Sequence, residues 1–91
     1  ISNRNSGFEM VSALPTATTG KTTLLIAADK AQKVQLMLVN SEGRLVESRN
    51  INVSAGNNYI SFDLSGKASG VYYVQGVDEK GERGLIKIVK N

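Results

Sequence analysis

Apolar residues recur at every second position through most of the chain, which is the period of a β-strand with one buried face. The segments KTTLLIAA, KVQLMLVN and NYISFDL all follow this alternation. No segment has a convincing apolar stripe at the 3.6-residue period of a helix. We therefore predict an all-β chain with these inward positions: Thr22, Leu24, Ile26, Ala28, Val34, Leu36, Leu38, Ile60, Phe62 and Leu64.

Turn-forming residues interrupt the strands in NSEG, SAGN, SGKASG and DEKGE. Turn signals about every 8 to 12 residues are typical of a β-sandwich. We predict a seven-stranded antiparallel immunoglobulin-like β-sandwich that forms a single domain over residues 8–91. Residues 1–7 are predicted to be a flexible linker, and residues 15–20 a turn or crossing segment. The predicted strands lie at 8–14, 21–28, 33–40, 44–53, 58–64, 71–77 and 83–89.

Two of these strands carry local signals of their own. The segment 44–53 alternates weakly at Leu45, Glu47 and Arg49, which predicts a β-bulge or a strand that changes sheets. Tyr72 follows a glycine-containing loop and lies just inside a strand, where sandwich folds place a tyrosine corner. The alternative is that Tyr72 is an ordinary strand aromatic.

Composition narrows the chemistry that the chain can perform. The 91 residues include no cysteine and no histidine, so disulfides, thiolate metal sites and the commonest general base are absent. We therefore expect a chain without catalytic activity, cofactor or metal. Because the sequence begins with Ile1 and its first ten residues do not resemble a signal peptide, we expect a fragment or a processed product.

Charge gives only weak information about partners. The net charge is +3, and the basic residues are spread along the chain instead of forming a run. Few aromatic residues lie beside them, so we expect no nucleic-acid partner. The GKT at Gly20–Thr22 lacks the earlier glycine of a phosphate loop. A solvated hairpin tip accounts for the acidic residues Asp78, Glu79 and Glu82 better than a calcium site does.

The order of motifs resembles the C-terminal sorting domains of type IX secretion cargo in Gram-negative bacteria, also called the Por secretion system (type A signals). The resemblance covers about Leu14 to Asn91 and runs through LPTATTGKTTLLI, VQLMLVNSEGRLV, AGNNYISFDL, SGVYYVQG and KIVKN. Pro15 is the only proline, so the second proline of the family's opening segment is absent.

The resemblance implies that the chain is an address label and not an enzyme. A longer precursor would reach the periplasm, and the outer-membrane translocon would recognise the folded sandwich. A sortase-like peptidase would typically cut within or upstream of ISNRNSG, and the passenger on the N-terminal side would be joined to anionic lipopolysaccharide. The passenger would therefore end at the outer-membrane surface or in the medium.

We expect the translocon to recognise the end of the last predicted strand, because a terminal strand offers an edge for β-strand addition. The residues concerned are Lys87, Ile88, Val89 and Lys90. Gly43, Gly70 and Tyr72 are expected to maintain the fold. The alternative is that residues 85–90 form only a core strand, and both interpretations are compatible. Homodimer formation through an edge strand is left open.

A second function class is an adhesive or carbohydrate-binding module similar to a fibronectin domain. Such a module predicts an exposed row of aromatic side chains, for which Tyr59 and Tyr73 are the only candidates.

Overall fold

The computed structural model describes residues 7–91 and contains eight β-strands in two sheets. No helix lies within this part of the chain, so nothing in it could cross a membrane as a long apolar helix. The strands are β1 (Phe8–Leu14), β2 (Ala17–Thr18), β3 (Lys21–Ala28), β4 (Gln32–Asn40), β5 (Leu45–Val53), β6 (Gly56–Asp63), β7 (Gly70–Asp78) and β8 (Arg83–Lys90).

The two sheets are a three-stranded sheet in the order β1-β3-β6 and a five-stranded sheet in the order β2-β8-β7-β4-β5. The prediction of seven antiparallel strands is wrong in one respect. The segment 15–20 contains an eighth strand, β2, and it pairs with β8 in parallel. Its two residues are too few to show an alternating pattern, so the sequence indicates only a turn or crossing there.

The predicted inward residues form the core between the sheets. Leu24, Ile26, Leu38 and Leu64 have no exposed surface, and Phe62 is 1% exposed. Ile60 and Ala28 are partly buried and pack against this cluster. The alternation of apolar and polar positions therefore predicted the buried faces of β3, β4 and β6 correctly.

Residues 1–6 of the predicted linker lie outside the described residues. Gly7, its last residue, is buried, and its carbonyl oxygen accepts hydrogen bonds from Asp29 N at 2.6 Å and from Gln32 Nε2 at 3.2 Å. Gly7 thus belongs to the packed body of the described structure.

The weak alternation at the start of β5 reflects a β-bulge, as predicted, and β5 stays in one sheet. The register shifts where Leu38 and Val39 of β4 pair with Glu47 and Leu45. Arg49 then points inward, with its guanidinium 4.3 Å from the centre of the Phe62 ring. It also donates to the carbonyl oxygen of Ser61 at 3.0 Å. Because β5 and β6 are edge strands of different sheets, Arg49 closes the side of the sandwich between them.

A glycine pair brings the sheets close together where β1 packs against β7 and β8. Gly76 and Gly84 face each other across these strands. A Cβ at Gly84 would lie 2.5 Å from Met10 Cγ, and a Cβ at Gly76 would lie 2.8 Å from Met10 Sδ. The missing side chains therefore make room for Met10, which is 8% exposed.

Candidate functional site

The last strand, β8, lies inside the five-stranded sheet and is not a simple edge. Its alternating pattern turns Ile86 and Ile88 inward, with exposures of 9% and 0%, while Lys87 is exposed. Val89 and Lys90 are half-buried. The four predicted recognition residues are therefore consecutive but differ in their exposure to solvent. Ile88 is a core residue that a partner cannot reach in the folded state.

The end of β8 is hydrogen-bonded on both sides. Antiparallel pairing with β7 places Lys90 opposite Gly70. On the other side, Val89 N donates to the carbonyl oxygen of Thr16 at 2.8 Å, and Asn91 N donates to that of Thr18 at 2.9 Å. The prediction of a free edge for β-strand addition is therefore wrong at residues 89–91, because β2 already occupies that edge.

Thr18 fixes the position of β2 from within its own loop. The residue is 6% exposed, and its hydroxyl donates to the carbonyl oxygen of Lys21 at 2.8 Å and accepts from Gly20 N at 3.0 Å. Thr22 ties the same loop from β3, since its hydroxyl donates to the carbonyl oxygen of Pro15 at 2.6 Å. Thr22 is thus a buried strand residue and takes no part in a phosphate loop.

The tyrosine corner predicted at Tyr72 is present. The ring is 5% exposed, and the hydroxyl donates to the carbonyl oxygen of Ala68 at 2.6 Å in the loop before β7. Gly70 has a φ of 149°, which lies in the region that favours glycine. The corner and the glycine together fix the path of the chain into β7.

Gly43, the third residue expected to maintain the fold, lies in the turn that follows Asn40. Gly43 has a φ of 82°, and its N–H donates to the carbonyl oxygen of Asn40 at 2.9 Å. Asn40 pairs with Tyr72, and Tyr72 pairs with Ile88. The structure therefore connects the turn, the tyrosine corner and the last strand in one row across β4, β7 and β8.

The turn between β7 and β8 has the same hydrogen-bond pattern as the turn after Asn40, with Asp78 in the place of the asparagine. Asp78 Oδ1 accepts from the backbone N–H groups of Lys80 and Glu82, both at 2.9 Å. Asn40 Oδ1 accepts from Glu42 N and Arg44 N in the same way, both at 3.0 Å. The Asp78 carboxylate thus shapes the turn. Within residues 7–91, no group of three or more acidic side chains is placed to hold a metal ion.

One carboxyl group in the loop after β6 has a shifted pKa. The Ser65 hydroxyl donates to Asp63 Oδ1, and the Ser65 backbone N–H donates to the same atom at 2.9 Å. These two hydrogen bonds hold the pKa of Asp63 below its ordinary value of 3.8. Desolvation opposes them with a smaller effect, and the nearby charges of Lys21 and Lys67 add a still smaller lowering.

The aromatic row that a carbohydrate-binding module requires does not form. Tyr59 lies on the outside of the three-stranded sheet and is 69% exposed. Tyr73 lies on the outside of the five-stranded sheet and is half-buried. The two rings therefore lie on opposite outer faces of the sandwich and cannot contact one sugar chain together.

The outer side of the five-stranded sheet is a feature that the sequence did not reveal. A shallow depression of about 500 Å³ lies there over β4, β5 and β7, lined by Lys33, Gln35, Asn50, Asn52 and Glu79 among others. Lys87 and Val89 point to the same side of this sheet. The alternation of residues was visible in the sequence, but the strand order that brings these side chains together was not.

Comparison with solved structures supports the fold alone. A crystal structure of β-glucosidase from Kluyveromyces marxianus is similar to this chain with a TM-score of 0.59 and 10% sequence identity. The similarity covers 92% of this chain and 14% of that enzyme, so the chain corresponds to a small part of a much larger protein.

Sequence comparison is more specific. No curated protein matches the chain. The family model described as a secretion system C-terminal sorting domain matches residues 15–91, which include Pro15, the tyrosine corner and all of β8. This match covers most of the sequence and agrees with the motifs from LPTATTG to KIVKN. The chain belongs to the family of C-terminal sorting domains of the type IX secretion system.

Proposed function

We propose that this chain is the sorting signal of a longer precursor and directs a passenger from the periplasm across the outer membrane by type IX secretion. The observation that carries this proposal is the family match over residues 15–91. The domain acts as a ligand of the secretion machinery and has no catalytic role of its own.

The finer description of the fold that we propose is an immunoglobulin-like sandwich with β2 added. In an immunoglobulin domain, strands A, B and E share one sheet and strands C, F and G the other. The orders β1-β3-β6 and β4-β7-β8 correspond to these two groups. The position of Tyr72 at the start of β7 supports this interpretation, since the tyrosine corner of such domains lies near the start of strand F.

The partners that we propose are the outer-membrane translocon and a sortase-like peptidase. Cleavage would take place before Gly7, because Gly7 is buried and hydrogen-bonded to Asp29 and Gln32. The released passenger would be attached to anionic lipopolysaccharide at the cell surface or remain free in the medium. Each of these steps is carried over from the family.

Among the predicted recognition residues, we propose that Lys87, Val89 and Lys90 contribute side chains to recognition. Ile88 contributes by holding β8 in the core, because it is fully buried. The hydrogen bonds of residues 89–91 to β2 mean that deleting the last residues would also remove part of the sheet. Single side-chain replacements are therefore a sharper test than truncation.

The test of the proposed function is a fusion of a periplasmic reporter to the complete chain in a Gram-negative host that has a type IX system. We expect the reporter at the cell surface or in the medium. In an otherwise identical strain without the translocon, the reporter should accumulate in the periplasm. Equal distribution in the two strains would contradict the proposal.

Lys87→Ala and Lys90→Ala then test the recognition residues in the same host, with Lys21→Ala on β3 as a matched control. We expect reduced export for the two β8 variants and unchanged export for the control. Thermal unfolding of each purified variant checks that the fold is intact. Normal export of both β8 variants would show that these lysines are not recognised.

A further inference from the structure

The outer face of the five-stranded sheet carries apolar side chains that are not part of the core between the sheets. We define this outer face as the outward positions of β4, β5, β7 and β8. Leu85 is 59% exposed there, and the other apolar members on β4, β7 and β8 are half-buried and lie on the side away from the core. The apolar members on these three strands are Met37, Val39, Val71, Tyr73, Val77, Leu85 and Val89.

The strand register gathers these side chains into adjacent rows. Val39 pairs with Tyr73, which pairs with Lys87. In the next row Gln75 lies between Met37 and Leu85, and Val71 pairs with Val89 at the end of the sheet. Apolar side chains gathered on one outer face, with Gln75 and Lys87 among them, offer a surface that a partner can bury.

The charges on the outer face all have one sign. Lys33, Arg83 and Lys87 occupy outward strand positions, and none of them forms an ion pair with a described residue. The carboxylates of these strands, Glu47 and Asp78, point inward. The other acidic residues near the sheet lie in turns beyond the strand ends, and Glu79 borders the depression.

The opposite side of the sandwich also exposes apolar side chains, among them Leu14 and Tyr59 at 69% each, but its charges are mixed. The outer side of the three-stranded sheet carries Glu9 and Asp63 together with Lys21. Mixed signs are ordinary for a solvated surface, whereas apolar rows with only cations at the outward strand positions are complementary to a partner with apolar side chains and carboxylates. The two faces of the same molecule therefore differ in the sign pattern of their charges, and this difference favours the five-stranded sheet as the interface for a partner that carries carboxylates.

We propose that the outer face of the five-stranded sheet is the surface by which the folded domain is recognised, and that its partner is a protein surface with apolar side chains flanked by carboxylates. This inference rests on the proposed function and assigns the contact to a sheet face instead of a strand edge. The edge at residues 89–91 is occupied by β2, while the face next to it is open.

A protein partner fits the outer face better than an anionic lipid surface. Binding to anionic lipid typically relies on a cluster of roughly four to eight lysines or arginines. Here the cations are fewer and are separated by the apolar rows, with Lys33 on β4 and Arg83 and Lys87 on β8. Tyrosine and methionine among the apolar members are residues enriched in protein interfaces.

The experiment uses the complete reporter fusion in the host with the type IX system. Lys87→Glu and Leu85→Asn change one charge and one apolar contact on the outer face. Lys21→Glu and Leu25→Asn make the same changes on β3, on the opposite side of the sandwich. We expect export to fall by about tenfold or more for the outer-face variants and to stay unchanged for the β3 variants, because like charges across an interface are strongly unfavourable.

Arg83→Glu is a second charge reversal on the outer face, made in case one variant fails to fold, and thermal unfolding identifies such a failure. Normal export of every folded outer-face variant would overturn the inference while leaving the proposed function intact. If the unmodified chain fails to direct export at all, both the inference and the proposed function fail.

Flotation of the purified chain with phosphatidylglycerol vesicles distinguishes a protein partner from a lipid partner. If the chain binds the vesicles and Lys87→Glu abolishes this binding, the outer face binds lipid and the proposal of a protein partner is wrong.

Discussion

Single side chains in this domain act mainly by fixing loops to strands. Tyr72 reaches back to Ala68, Thr18 ties β2 to Lys21, and Asn40 and Asp78 each close a hairpin. In each case a strand residue satisfies backbone groups that a short loop would otherwise leave unpaired. The consequence is that a polar atom at a strand end decides the course of the neighbouring loop.

Tyr72→Phe removes one hydroxyl and leaves the ring in the core. We expect the free energy of unfolding to fall by about 0.5–1.5 kcal/mol, because the hydrogen bond to the Ala68 carbonyl is lost. Urea unfolding followed by circular dichroism measures the change. Tyr59→Phe is the matched control, since Tyr59 is 69% exposed, and it should leave the midpoint unchanged. An equal effect of both variants would contradict the role of the tyrosine corner.

The Asp63 carboxyl provides a prediction on pH. Its folded pKa is lowered, first by the Ser65 hydroxyl, so the folded state favours the ionised form. The resulting stability is present above the ordinary pKa of 3.8 and is lost as pH falls through the lower folded pKa. NMR titration of the Asp63 carboxyl carbon should give a pKa below 3.8.

Ser65→Ala tests the cause of this shift. It removes the hydroxyl but keeps the backbone donor, so the pKa of Asp63 should rise toward its ordinary value without reaching it. Ser69→Ala changes an exposed serine of the same loop and should leave the titration unchanged. An Asp63 pKa that does not respond to Ser65→Ala would exclude the hydroxyl as the main cause.

At the level of the strands, the spacing between the sheets depends on where glycine replaces a side chain. Gly76 and Gly84 lie opposite each other on β7 and β8, and Met10 of β1 occupies the space above them. This contact brings the first strand of one sheet against the last strand of the other. The same last strand carries the residues proposed for recognition, so its position depends on this packing.

Gly84→Ala should destabilise the domain by about 1–3 kcal/mol, because the new Cβ would lie 2.5 Å from Met10 Cγ in a filled core. Gly20→Ala is the control, since a Cβ there meets nothing within 4 Å. Thermal or urea unfolding compares the two. In a double-mutant cycle with Met10→Ala, the cost of Gly84→Ala should shrink. If Gly84→Ala is equally destabilising with and without Met10→Ala, the destabilisation does not come from a clash with Met10.

Across the molecule as a whole, the sandwich is closed at its sides by different means. Met10 and the glycine pair close the side where β1 meets β7 and β8. Arg49 closes the side between β5 and β6 with its guanidinium over Phe62 and a hydrogen bond to Ser61. An inward charge on an edge strand also discourages pairing with another chain.

Arg49→Ala should lower the free energy of unfolding by about 1–2 kcal/mol, since both the contact with the Phe62 ring and the hydrogen bond to Ser61 are lost. Arg44→Ala, at an exposed turn position without an ion pair to a described residue, should have little effect. Urea unfolding compares the two variants. Equal stability of Arg49→Ala and the unmodified chain would show that the side of the sandwich is closed without Arg49.

Seven of the eight strands, most of their buried positions, most of the turns and the family can be predicted from the amino-acid sequence. Alternation with a period of two is a local property, and it is enough to identify Leu24, Phe62 and Leu64 as inward residues. The tyrosine corner is predictable for the same reason, because Tyr72 lies at a fixed short distance from the loop that it contacts. The motifs from LPTATTG to KIVKN identify the family, since their order is also a property of the linear chain.

Which strands are neighbours depends on long-range packing and is not predictable from these local patterns. Alternation shows which side chains share a face but not which sheet the face belongs to, so the separation of Tyr59 from Tyr73 follows only from the strand order. The pairing of Thr18 with Lys90 joins residues far apart in sequence through backbone hydrogen bonds, which leave no residue pattern. Lys87 lies beside Tyr73 and Val39 for the same reason, because the packing of the two sheets sets the order of their strands.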